Sequence, residues 1–141
     1  KDGSKKMSKS ELSDLSRINL TDNKDQIINK IKKAKTDPMP MPNGLQELDE
    51  RPEAKNLLGI YASLTNTTLE KSIENFSGKN FSEFKESLSE ILVNKIEPIS
   101  IEIKKLLADQ KYLDQILLEG VEKANLIASK KIQKIKEIVG F

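Results

Sequence analysis

The 141-residue sequence contains no cysteine and no histidine. Disulfide frameworks, Cys/His zinc sites, thiol nucleophiles and histidine-dependent catalysis are therefore excluded for these residues. The six glycines are too far apart to form a GxGxxG or P-loop signature. The longest stretch without a charge, residues 56–69, is interrupted by Thr, Asn and Ser and is too short to cross a bilayer. Any chemistry of this chain must depend on lysine, arginine, carboxylates and hydroxyls, or on residues outside this sequence.

The composition is instead that of a helix-rich single domain, with 33% charged and 36% hydrophobic residues and only 4% aromatics. The net charge of +2 is unevenly distributed, because residues 1–40 and 121–141 are basic and residues 41–120 are acidic. Two basic ends are compatible with contact to a polyanion at two places. The alternative is that these charges only solvate exposed helix faces.

Caps and apolar spacing predict three helices in the first half of the chain. Thr21 and the isoleucines that follow predict a helix over 22–35, ended by Pro38. The proline-rich residues 38–44 predict an extended loop rather than a packed element. Pro52 suits the first residue of a second helix. Thr67 and Glu70 form a capping-box pattern for a third helix that ends near residue 76.

From Phe81 onward two long apolar stripes predict two long helices, the second capped by Asp109. Pro98 lies within the first stripe and predicts a kink or break near residues 94–98. We expect the two helices to form an antiparallel hairpin whose apolar face is covered by the shorter helices. With no alternating strand pattern, the predicted fold class is all-α, a helical bundle.

The motif that points to chemistry lies at the start of the chain, where Lys6-Met7-Ser8-Lys9-Ser10 reads KMSKS. This pentapeptide is the signature of class I aminoacyl-tRNA synthetases. Further segments match in order: DGSKKMSKS, INLTD, KKAKTD, NLLGIY, LLAD and EG. Together they resemble the C-terminal part of the bacterial tryptophanyl-tRNA synthetase family over essentially the whole chain. The sequence departs from many members after Ser10, where Glu11-Leu12 stand in place of Asp-Pro.

The resemblance implies two parts and a missing half. Residues 1–20 would be a flexible KMSKS loop, the tail end of the nucleotide-binding catalytic domain, and residues 21–141 a helical anticodon-binding domain. The rest of the catalytic half, with its HIGH motif and tryptophan pocket, would precede Lys1, so the chain alone is expected to be inactive. The implied catalytic residues are Lys6 and Lys9. The implied ATP contacts are Lys6, Met7, Ser8, Lys9 and Ser10.

The resemblance also implies the partners. These are tRNA, tryptophan and ATP with magnesium in an intact, cytoplasmic and homodimeric enzyme, with no cofactor or metal held by this chain alone and no membrane contact. Phosphates of tRNA are held by cationic side chains. The candidates are Lys30, Lys33, Arg51, Lys130, Lys131 and Lys134. The alternative reading of the whole sequence is a free-standing helical module that binds RNA or protein.

Overall fold

The computed structural model describes residues 12–140. The chain divides into two compact units, Lys1–Ile101 and Glu102–Phe141. The described residues contain helices and no strand, which confirms the all-α class. The α-helices are α1 (Lys24–Lys32), α2 (Pro52–Thr65), α3 (Leu69–Phe76), α4 (Phe81–Ala108) and α5 (Gln110–Val139), and short 3₁₀ turns cover Asp14–Ser16 and Leu45–Leu48.

The hydrophobic core of the first unit lies among α1, α2, α3 and the first half of α4. Its centre is an aromatic cluster in which the ring of Phe76 contacts those of Tyr61 and Phe84, each at 4.9 Å between centroids. Both contacts are edge-to-face, the arrangement that the ring quadrupoles favour. Aliphatic side chains from α1, α2 and α4 complete the core: Ile27, Ile31, Leu57, Leu58, Leu88 and Leu92.

Helices α1 and α3 start one or two residues later than predicted, whereas α2 starts where predicted. The cap of α1 is Asn23 rather than Thr21, in a capping box with Gln26, and α1 ends at Lys32 rather than near residue 35. Pro52 is the first residue of α2, as predicted. The cap of α3 is Thr68 rather than Thr67, and it accepts from the backbone N–H of Lys71.

The prediction for the proline-rich segment was wrong in one respect, because part of it is packed. Met41 is only 1% exposed, and Pro42 is also fully buried. The backbone N–H of Met41 donates to the carbonyl of Lys79 at 2.8 Å, and the N–H of Gly78 donates back to Met41 at 3.3 Å. Gly78 has φ +71°, a conformation that side-chain-bearing residues rarely adopt, so glycine suits this return contact.

Both long helices are continuous, so of the two outcomes expected near residues 94–98, a kink or a break, the break is not observed. α4 runs through Pro98 without interruption, and α5 runs through Gly120. Asp109 caps α5 as predicted, accepting from the N–H of Tyr112 at 3.0 Å. No residue of α5 is buried, so the expected burial of its apolar stripe is not observed.

Candidate functional site

The pentapeptide Lys6–Ser10, to which the sequence assigns the catalytic and ATP contacts, lies outside the described residues. The description of the chain begins two residues after Ser10. The first element after the motif is the 3₁₀ turn Asp14–Ser16. Asp14 is therefore the first charged side chain beyond the motif whose contacts are known.

The side chain of Lys30 is buried and ion-paired rather than exposed on the surface. Its ammonium is 2.6 Å from a carboxylate oxygen of Asp22 and 2.7 Å from one of Asp14, and its side chain is 6% exposed. Side chains on a helix lean toward its N-terminus, so a lysine in the last turn of α1 can reach these two upstream aspartates. As placed here, Lys30 does not present its charge to a phosphate.

Asn19 connects the same two aspartates. Its backbone N–H donates to Asp22 at 2.8 Å, and its side-chain amide donates to Asp14 at 3.0 Å. The guanidinium Nε of Arg17 lies 3.5 Å from Asp14. We call the group Asp14, Asn19, Asp22 and Lys30 the Lys30 cluster. It closes residues 14–22 into a turn folded around one ammonium.

The protonation equilibria in the cluster follow from these contacts. Burial by itself lowers the pKa of Lys30, but the hydrogen bonds and charges of Asp14 and Asp22 outweigh it and raise the pKa overall. The hydrogen bond from Lys30, helped by Asn19, lowers the pKa of Asp14. Both shifts favour the ionised forms, so the ion pair between Asp14 and Lys30 is intact at neutral pH.

Arg51 is held in a second internal ion pair. Its guanidinium bonds both carboxylate oxygens of Asp37, at 2.7 and 3.0 Å, and donates to the carbonyl of Pro40 at 2.8 Å. The side chain is 8% exposed and lies over the ring of Phe81 at 5.7 Å. This guanidinium ties the proline-rich segment to the start of α2, and it too is turned away from external phosphates.

The four remaining candidates are exposed. Lys33 is the C-cap of α1, in the first unit. Lys130, Lys131 and Lys134 lie within five consecutive positions of α5, in the second unit. Lys33, at a helix C-terminus, is placed favourably with respect to the helix dipole, and all four side chains are accessible to an anion.

A groove of about 820 Å³ lies along α1 and α4 within the first unit. Its lining includes three lysines, Lys24, Lys32 and Lys85, but also Glu86 and Glu90. Lys85 is committed to the fold, since its ammonium donates to the carbonyls of Ala34 at 2.7 Å and Lys32 at 3.2 Å. Burial lowers the pKa of Lys85. The mixed charge of the groove does not single out an anionic ligand.

Two further observations concern residues 12–140. No group of three or more acidic side chains in this part of the chain is arranged to hold a metal ion. No helix among these residues is long and apolar enough to cross a membrane.

Sequence reasoning missed the partners that hold Lys30 and Arg51. One signal was available: Lys30 lies three residues after Ile27 and directly before Ile31, on the buried side of α1. A lysine on an apolar helix face is expected to have a carboxylate partner. For Arg51 no comparable signal exists, because it precedes α2 and belongs to no periodic pattern.

Residues 1–97 match the model of the family described as tRNA synthetases class I (W and Y). The match covers more than half of the sequence and includes the KMSKS motif, the Lys30 cluster and most of the first unit. This chain belongs to that family of class I tRNA synthetases.

The curated relatives that the chain matches include tryptophan–tRNA ligases. The chain is 50% identical over all 141 residues to the tryptophan–tRNA ligase of Agrobacterium fabrum, covering 40% of that protein. It is 47% identical to the tryptophan–tRNA ligase of Brucella melitensis, covering 40%, and 48% identical to that of Rickettsia felis, covering 42%. The chain thus spans about two fifths of the length of these relatives. The resemblance stated from the sequence is confirmed.

Proposed function

We propose that this chain is the part of a tryptophan–tRNA ligase that runs from the KMSKS loop onward. The observation that carries the proposal is similarity along the whole chain, at 47–50% identity, to proteins that bear this name. Identity at this level over all 141 residues supports a common reaction more strongly than a five-residue motif does. Nothing in the structure favours the free-standing module.

The proposed reaction has two steps. An oxygen of the tryptophan carboxylate attacks the α-phosphorus of ATP, and the bond from that phosphorus to the bridging oxygen of pyrophosphate breaks. A ribose hydroxyl of the tRNA then attacks the activated carboxyl carbon, and AMP leaves. Magnesium would accompany the ATP; we assign no residue of 12–140 to it, because none of them cluster to hold a metal.

The KMSKS residues are proposed to act in the first step. As the α-phosphorus is attacked, negative charge grows on the departing pyrophosphate oxygens. An ammonium that meets this charge stabilises the transition state more than the ground state. We assign this contact to Lys9, with Lys6 in support, and further phosphate contacts to Ser8, Ser10 and the backbone of Met7.

The helical part is proposed to bind the anticodon region of the tRNA. The four exposed cations support contact with phosphates: Lys33 in the first unit and Lys130, Lys131 and Lys134 in the second. Lys30 and Arg51 contribute instead by holding the fold in shape, because their charges are paired internally. We further propose that the intact enzyme is a cytoplasmic homodimer, and that this chain alone does not catalyse the reaction.

Tryptophan-dependent exchange of pyrophosphate into ATP tests the proposal, measured on the intact enzyme that contains these residues. Lys9→Ala should slow the exchange about a hundredfold or more, since loss of one transition-state contact costs about 2.7 kcal/mol or more. Lys5→Ala, which removes the same charge next to the motif, is the matched control and should stay within a few fold of the wild type. Absence of exchange in the wild type, or equal rates for Lys9→Ala and the wild type, would contradict the proposal.

A further inference from the structure

The buried ion pair at the centre of the Lys30 cluster carries a large desolvation cost. Lys30 and Asp22 are almost completely shielded from water, with 6% and 5% of their side chains exposed. Burying charges is expensive, and a well-packed apolar substitute is often equally stable or more stable. A buried ion pair is therefore poorly explained by stability alone. What it provides is a fixed polar geometry.

The cluster holds residues 14–22, which begin four positions after the last residue of the KMSKS motif. Asp14, in the 3₁₀ turn Asp14–Ser16, is bonded to Lys30 at 2.7 Å and to Asn19 at 3.0 Å. Asn19 and Asp22 close the turn, because the N–H of Asn19 donates to the Asp22 carboxylate and the N–H of Asp22 donates to the carbonyl of Asn19 at 3.0 Å. Two segments of chain, 14–16 and 19–22, thus converge on a single ammonium.

The covalent chain limits how far the motif can lie from this anchor. Lys9 precedes Asp14 by five residues, and a chain spans at most about 3.6 Å per residue. The Cα atom of Lys9 therefore lies within about 18 Å of that of Asp14. Lys9 is thus tethered to the anchor by a short stretch of chain, and small misplacements of catalytic groups cost large factors in rate.

We propose that Lys30 is a positioning residue for the KMSKS lysines: by holding Asp14 and Asp22 it fixes the point from which the motif reaches the ATP phosphates. The proposal rests on the proposed function, since it needs Lys9 to act on ATP. Lys30 itself touches no substrate in this assignment. Its effect on the reaction passes through Asp14 and the chain between Asp14 and Lys9.

Two substitutions in the intact enzyme test the anchor. Lys30→Met removes the ammonium and keeps a long side chain. Asp14→Asn is milder, because Asp14 is 54% exposed and the buried pair of Lys30 with Asp22 stays in place. We expect kcat/KM for ATP in pyrophosphate exchange to fall at least tenfold for Lys30→Met and at least threefold for Asp14→Asn, with KM for tryptophan unchanged within twofold.

Lys85→Met is the matched control. Lys85 is also a partly buried lysine that touches the end of α1, but its ammonium bonds the backbone carbonyls of Lys32 and Ala34 rather than the carboxylates of Asp14 and Asp22. Lys85→Met should lower the thermal stability of the enzyme and leave kcat/KM for ATP within twofold of the wild type. An equal loss of kcat/KM in Lys85→Met would show that any damage to α1 suffices and would overturn the proposal.

A double-mutant cycle separates positioning from general structural damage. If Lys30 acts through Lys9, then adding Lys30→Met to Lys9→Ala should reduce the exchange rate no further, because the contact to be positioned is already lost. Multiplying effects in the double variant would overturn the proposal, as would single variants within twofold of the wild type. A failure of the proposed function is distinguishable, since Lys9→Ala alone would then leave exchange unchanged.

Discussion

The ion pair between Arg51 and Asp37 makes the stability of the first unit depend on pH. Burial by itself raises the pKa of Asp37, but hydrogen bonds from Arg51 and from the backbone of Met39 outweigh it and lower the pKa overall. The ordinary value is 3.8. The unfolded chain therefore takes up this proton first as the pH falls. The stabilisation is complete above about pH 4 and is lost as the pH falls through the lowered pKa of the folded state.

Asp37→Asn should consequently destabilise the protein near pH 7 and lose this effect in acid. We expect a decrease of about 1.5–3 kcal/mol in the free energy of unfolding at pH 7, the range for hydrogen bonds to charged groups. The difference from the wild type should shrink steadily below pH 3.8. Urea unfolding at pH 7, 5, 4 and 3 measures it. Asp49→Asn, at a side chain that is 78% exposed, is the control. A difference that stays constant with pH would contradict the assignment.

At the scale of single residues, the sequence shows which side chains are charged but not which groups they contact in the fold. Lys30, Lys33 and Arg51 are all basic side chains close to turns, and all three were predicted to contact tRNA phosphates. The structure separates them, because Lys30 and Arg51 meet aspartates that lie eight and fourteen residues away along the chain. Which carboxylate reaches which cation is decided by how the turns fold, and turns carry little periodic signal.

Among the elements, the last turns of α5 concentrate exposed positive charge. Lys130, Lys131 and Lys134 fall within five positions, with all three side chains exposed. If they bind tRNA phosphates, their replacement by alanine in the intact enzyme should weaken tRNA binding. It should also flatten the dependence of log Kd on log salt, by about one unit for each lysine that contacts a phosphate.

A triple variant on the same helix provides the comparison. Alanine at Lys111, Lys123 and Lys136 removes the same net charge from α5 but from dispersed positions. Binding of labelled tRNA across a salt series should show the larger change in slope for the clustered lysines. Identical slopes for the two triple variants would mean that α5 attracts tRNA only through its overall charge, and the clustered contact would be disproved.

The elements themselves were largely predictable, and their exceptions have physical causes. Pro52 and Asp109 mark true helix starts. Proline lacks the N–H that would have no partner in the first turn, and the Asp109 side chain accepts a hydrogen bond from one of the free N–H groups there. Pro98 does not break α4, since the loss of one hydrogen bond is tolerated within a helix of 28 residues. Met41 was assigned to a loop because no local rule reveals its backbone pairing with Lys79.

For the whole molecule, the distribution of apolar surface differs between the two units. The first unit has a closed core of aromatic and aliphatic side chains around Phe84. In the second unit, no residue of α5 is buried. Its exposed side chains include large apolar ones: Ile116, Leu117, Val121, Ile127 and Ile132. Hydropathy patterning identified the stripe on α5 correctly. Patterning shows which face is apolar but carries no information about what covers it.

The share of the relatives that this chain covers predicts what the isolated chain can do. The chain covers about 40% of the length of its tryptophan–tRNA ligase relatives, and it holds the KMSKS lysines but no histidine. We expect the 141 residues, expressed alone, to give no tryptophan-dependent pyrophosphate exchange above background, because Lys9 can stabilise charge only where ATP and tryptophan are held together.

The measurement needs proof that the isolated chain is folded. Circular dichroism should show a helical protein, and urea should unfold it in a cooperative transition, since the core around Phe84 lies wholly within these residues. Exchange by the intact enzyme at the same molar concentration is the positive control. Exchange by the isolated chain at a rate comparable with the intact enzyme would contradict the expectation, because it would place a complete activation site within a sequence that contains neither histidine nor a glycine-rich phosphate loop.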